Sequence, residues 1–151
     1  ITGALYSAKN KPKEVPDAKN QFKSIHSKSG IKIRFDDEDK ILTIETPGGN
    51  SCTRDDKEKS VTLKDQSGNK VILDDTGIVI DSTKNIKLSA KGDVQISASG
   101  NIDLKAKSDV KAGGTNIQFS AQSGFTAKGN ASAEISASGQ TTVKGAMVMI
   151  N

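Results

Sequence analysis

The chain has 151 residues, 33% hydrophobic and 3% aromatic, with no tryptophan and a formal net charge of +4 from 22 basic and 18 acidic side chains. That length suits about one domain, the apolar content is lean for a globule, and no apolar run approaches the ~20 residues of a membrane span. Basic and acidic residues are interleaved and stacking aromatics are scarce, which argues against nucleic-acid binding, while the single cysteine, Cys52, excludes a disulfide framework within the chain and fits assembly in the cytoplasm.

The sequence opens on Ile1-Thr2-Gly3-Ala4-Leu5-Tyr6 without an initiator methionine and reads as a piece of a longer protein, with no signal peptide apparent. Residues 1–8 read as a short apolar strand, and residues 9–24, with Pro12 and Pro16, as a polar linker. Residues 25–76 read as a β-rich base. Ile31, Ile33 and Phe35 alternate with Lys32 and Arg34, an acidic turn follows at Asp36–Lys40, and a second strand runs from Ile41 to Glu45. Pro47-Gly48-Gly49-Asn50 is a turn, and strands at Ser60–Lys64 and Lys70–Leu73 flank another, Asp65–Asn69. The spacing of this base reads as irregular.

Regularity begins near Gly77-Ile78-Val79-Ile80 and holds over residues 77–151. From Ile86-Lys87-Leu88 the chain steps by eight to Val94-Gln95-Ile96, Ile102-Asp103-Leu104 and Val110-Lys111-Ala112. One block loses a residue, since Val110 to Ile117 is seven; the eights then resume through Ile117-Gln118-Phe119, Phe125, Ala133-Glu134-Ile135, Thr141-Thr142-Val143 and Met149. Apolar and polar residues alternate within each block, the period of a strand with one buried face, and Gly, Asn, Asp and Ser fill the turns between blocks. The inward set is Ile86, Leu88, Val94, Ile96, Ile102, Leu104, Val110, Ile117, Phe119, Phe125, Ile135 and Val143. The short block predicts a local loosening or bulge.

A lone octad is unstable. Ordering its backbone costs roughly 1–2 kcal/mol per residue, and burying two large aliphatics returns about 1.5–3 kcal/mol each. Blocks must stack about 4.7–4.9 Å apart, so the expected product is a long, rigid β-helix. Periodicity leaves open whether one chain coils on itself or three chains wind round one axis.

Few residues carry chemistry. The acidic run at Asp36–Asp39 lacks the glycine and distal glutamate of a calcium loop and reads as a charged turn. His26 is the only histidine and reads as an ordinary residue of the base. A β-helical carbohydrate-active enzyme would need paired carboxylates in a cleft and aromatic platforms, and an ice-binding solenoid a regular outward threonine array; neither is visible. No catalytic residue, metal ligand or cofactor is expected. The C-terminus is the exception to a polar fibre: Met147-Val148-Met149-Ile150-Asn151 carries no charge, and Ile150 stands where earlier blocks place a polar residue. A β-helix end must be capped, so this apolar tip predicts either a chain that folds back to cap itself or a docked partner, and an apolar patch at the tip of a fibre favours the partner.

The octads, the base with Ile33-Arg34-Phe35-Asp36-Asp37 and the ending Gly145–Asn151 resemble the VgrG family, the spikes of type VI secretion, which are related to tailed-phage baseplate spikes and to spikes of extracellular contractile injection systems. The resemblance implies an all-β, intertwined homotrimeric β-helix. Residues 1–8 would be the last strand of an upstream oligonucleotide-binding-type barrel. It further implies a non-enzymatic, membrane-puncturing needle whose tip, Met147, Val148, Met149, Ile150 and Asn151, binds a PAAR-repeat protein with effector cargo. Such a needle contacts tube and hub proteins of the machine and the target membrane, assembles in the cytoplasm, and is ejected. A trimeric fibre or adhesin stalk is the first alternative, and a β-helical carbohydrate-active enzyme the more distant one.

Overall fold

The computed structural model describes residues 18–150. The strand expected at residues 1–8 lies outside them, as do most of the expected linker and Asn151. Every regular element among the described residues is a β-strand. The chain divides into two units between Val94 and Gln95.

The first unit holds one seven-stranded sheet. Its strands are β1 (Phe22–His26), β2 (Lys32–Asp36), β3 (Ile41–Glu45), β4 (Ser51–Asp55), β5 (Ser60–Lys64), β6 (Lys70–Asp74) and β7 (Gly77–Asp81), each five residues long. Each pairs antiparallel with the next, in the order β1 to β7. A meander of this kind needs only short turns. β1 begins inside the segment expected as linker. β7, where the regular repeat was expected to begin, is instead the last strand of the sheet, with Val71 opposite Ile80.

The base is not irregular. It repeats every nineteen residues: β2, β4 and β6 begin at Lys32, Ser51 and Lys70, and β1, β3 and β5 at Phe22, Ile41 and Ser60. The turns repeat with the strands. Gly30, Gly49 and Gly68 take φ of 92°, 91° and 89°, a left-handed conformation that only glycine adopts freely. In each of these turns the residue three before the glycine accepts the glycine N–H: Ser27, Thr46 and Asp65, at 3.1, 2.9 and 3.2 Å. The side chain of that same residue accepts the N–H four positions on, from Ile31, Asn50 and Asn69, at 2.9, 3.3 and 2.9 Å. On the opposite edge, Asp36, Asp55 and Asp74 hold their own turns by accepting the N–H groups of Glu38, Glu58 and Thr76. The acidic run is thus the β2–β3 turn.

Strand β4 (Ser51-Cys52-Thr53-Arg54-Asp55) did not stand out in the sequence. It contains no aliphatic residue, so alternation leaves no trace there. Its place follows from the repeat, because Cys52 lies midway between Ile33 and Val71.

After Asp81 no strand pairing is present among the described residues. The chain carries no regular element there and bends at residues 83–84, 91–92, 99–100, 107–108, 114–115, 122–123, 130–131, 138–139 and 146. Every interval is eight except one of seven, from 107 to 114. The bends therefore fall in the turns between octads, and the short interval ends at Gly114.

Candidate functional site

The pairing register sorts the sheet into two faces. One row reads Ile25, Ile33, Ile44, Cys52, Leu63, Val71, Ile80 across the seven strands, and the adjacent row reads Lys23, Phe35, Leu42, Arg54, Val61, Leu73, Ile78. Twelve of these fourteen side chains are apolar or thiol. Of the two cations, Lys23 turns its ammonium to the Asn20 carbonyl at 3.1 Å and to the Asp37 carboxylate. Arg54 stands opposite Leu42 and Val61. Cys52, between Ile44 and Leu63, serves as a small apolar member of the face.

The other face is the more polar of the two, although its middle row ends in Ile72 and Val79. Thr43, Thr53 and Thr62 lie side by side along its middle row, and the Arg34 guanidinium sits 3.9 Å from the centre of the Phe22 ring, a cation–π contact. His26 belongs to this polar face, with Nε2 2.9 Å from the Ser24 hydroxyl.

The apolar face is uncovered. No hydrophobic side chain among the described residues is buried; Ile25, Ile78 and Ile80 are 62%, 71% and 59% exposed. A groove of about 530 Å³ along Leu63, Val71, Ile80 and Ile86 is part of this uncovered surface. The twelve residues expected to point inward from the octads are 51–84% exposed in the single chain, and Met147, Met149 and Ile150 are 79%, 82% and 91% exposed. Phe119 and Phe125 stack within the second unit, with ring centroids 6.1 Å apart. Soluble monomers rarely leave such an apolar expanse open to water.

The electrostatics serve the turns. Asp65 is held below the usual carboxylate range chiefly by the Asn69 side-chain amide, 2.7 Å from its Oδ2, with backbone N–H groups adding to the effect. The Thr76 hydroxyl and N–H do the same for Asp74. For Asp36, burial pushes upward, but the Gln21 amide and the N–H groups of Asp39 and Glu38 prevail and hold it low. Lys57 is raised by its hydrogen bond to Asp39. No group of three or more His, Cys, Asp and Glu among the described residues is placed to hold a metal ion. These carboxylates are spent on capping N–H groups.

What the arrangement can do is associate. Residues 40–102 match the family model of the phage baseplate V C-terminal trimerisation domain. The matched stretch begins at the end of the β2–β3 turn, takes in β3 to β7 and continues through the first two octads. No curated protein matches the chain. At the coarse level the chain is similar to a structural, spike-like component that forms homotrimers.

Proposed function

We propose that the chain is the needle of a VgrG-type spike in a contractile injection machine, built as three copies wound into an intertwined, triple-stranded β-helix. In this reading the needle is structural and non-enzymatic. Its apolar end, Met147 to Asn151, docks a PAAR-type tip protein with effector cargo. The needle assembles in the cytoplasm on tube and hub proteins and is driven through a target membrane.

The observation that carries the reading is the state of the octads in one chain. Their bends keep the period of eight, their apolar residues face water, and no ladder joins them to one another among the described residues. Backbone N–H and C=O groups in an ordered core must find partners, and a chain coiled on itself would supply them from its own octads. Partners from other copies meet both needs together. The match of residues 40–102 to a trimerisation domain supports three as the copy number. A closed β-helix also leaves no lateral edge strand to pair with other proteins, as a shaft needs.

The test is the mass of the purified chain by sedimentation at several dilutions. A trimer that survives dilution is expected. A stable monomer would overturn the reading.

A further inference from the structure

The seven-stranded sheet carries its turns on two edges, and the charge on them differs in sign. Turns 36–40, 55–59 and 74–77 share one edge and hold nine carboxylates against three lysines, a net of −6, or −4 with Lys19 and Lys23 counted in. Some of this charge is met within the chain, where Lys19, Lys23 and Lys57 reach Glu38, Asp37 and Asp39. Segments 26–32, 45–51, 64–70 and 81–85 share the other edge and hold five lysines against three carboxylates, a net of +2.

Size and symmetry decide what each edge meets. If the strands run across a threefold axis with the apolar face inward, each side of the prism is one strand wide, about 17 Å. The axis then lies about 5 Å from each sheet, half the ~10 Å spacing at which sheets pack. Strands running along the axis would give a side of about 30 Å, leaving a centre that Val, Leu and Ile cannot fill. The strands therefore cross the axis, and the turns lie at the corners. A cyclic trimer joins unlike surfaces at every interface, so each corner brings one edge of a chain against the opposite edge of the next.

We infer that these edges are the surfaces by which one copy receives the next, the carboxylate-rich edge of each chain lying against the lysine-bearing edge of its neighbour. The inference rests on the trimer reading above and adds how the copies are recognised and ordered. Complementary edges speed productive encounter and oppose a reversed copy, whose like edges would repel.

The experiment is refolding of the full chain from denaturant, with trimer formation followed in low salt and in about 1 M salt, where the screening length is about 3 Å. One variant reverses the acidic edge (Asp56→Lys, Glu58→Lys, Asp75→Lys) and one the basic edge (Lys28→Glu, Lys64→Glu, Lys84→Glu). Wild type should assemble about tenfold faster in low salt, each triple variant about tenfold more slowly than wild type, and the chain carrying all six changes near the wild-type rate. A salt-independent wild-type rate, or a six-fold variant no faster than its parents, overturns the inference while leaving the trimer standing. A wild-type chain that never forms a trimer overturns the trimer reading itself.

Discussion

The side-chain oxygen of Asn69 accepts the backbone N–H of Thr83 at 2.9 Å. The same oxygen accepts the Ser82 hydroxyl at 2.9 Å, so the residue that closes the β5–β6 turn also fixes the chain as it leaves β7. One repeat earlier, Asn50 Oδ1 accepts the N–H of Gln66 at 3.2 Å. Asn50 and Asn69 thus link the second and third turns on this edge each to the segment that follows, and the last link holds the segment from which the octads start.

Replacing Asn69 by alanine removes those bonds and its amide contact with Asp65. The expected loss is about 1–2 kcal/mol, given ~0.5–1.5 kcal/mol net per hydrogen bond and the exposure of the site. Asn50→Ala should cost less, since Asn50 Oδ1 accepts one N–H. Urea unfolding of the assembled protein, followed by circular dichroism, compares the two.

The glycines at φ near 90° give a ranked prediction. Alanine at Gly49 meets nothing closer than 3.8 Å, whereas at Gly30 its Cβ would lie 3.0 Å from Pro47 Cγ. Gly49→Ala should therefore show mainly the left-handed penalty, roughly 1–2 kcal/mol, and Gly30→Ala that penalty plus crowding. Equal midpoints in urea for the two variants would contradict this.

A third prediction separates the faces of the sheet. Leu63→Asp places a carboxylate in the middle of the apolar face, between Cys52 and Val71, and an unpartnered charge buried there would cost several kcal/mol. Thr62→Lys alters the next residue on the opposite face, beside Thr53. Sedimentation should show the trimer lost in Leu63→Asp and kept in Thr62→Lys. Loss in both, or in neither, would mean that the apolar face is not where copies meet.

How much could be read from the sequence depended on which signal each segment carried. Octads such as Ile86-Lys87-Leu88 and Val94-Gln95-Ile96 announce themselves, because alternation and spacing agree, and the chain bends where their turns were read, the seven-residue block included. The nineteen-residue repeat was hidden by composition. Its middle copy places Cys52 and Arg54 where its neighbours have Ile33 and Phe35, or Val71 and Leu73. The surviving signals are the Asp pairs 36–37, 55–56 and 74–75 and the glycines 30, 49 and 68, all spaced by nineteen. Turn chemistry keeps the period that strand hydropathy loses. The register of the sheet, and with it the charge on its edges, follows from pairing and could not be read one strand at a time.

Acid should loosen the turns. Asp65 and Asp74 sit below the usual range in the folded chain because Asn69 and Thr76 donate to their ionised forms. Unfolded aspartate titrates near ~3.9, so below that pH the unfolded chain takes up protons that the folded turns still refuse. Stability then rises with pH. Their contribution is complete above the unfolded value and is lost as pH falls through the lower folded values. Thermal melts should be level near neutrality and decline from about pH 4 downward. Asp65→Asn and Asp74→Asn should flatten that decline, and unchanged acid limbs would assign the loss to other carboxylates.

The tip offers the most direct test of the partner. Met149 and Ile150 are 82% and 91% exposed, and neither lies in a strand of the sheet. If three copies end together, these residues form a small apolar platform, and its affinity for a cap comes from burying them, about 1.5–3 kcal/mol for each side chain. Met149→Asp with Ile150→Asp should leave the trimer mass unchanged and reduce capture of a PAAR-repeat protein by well over tenfold. Lys144→Ala, outside the apolar run, is the control and should capture normally. A double variant that no longer trimerises would place these residues inside the shaft. A trimeric double variant that still captures the cap would move the docking surface away from Met147–Ile150.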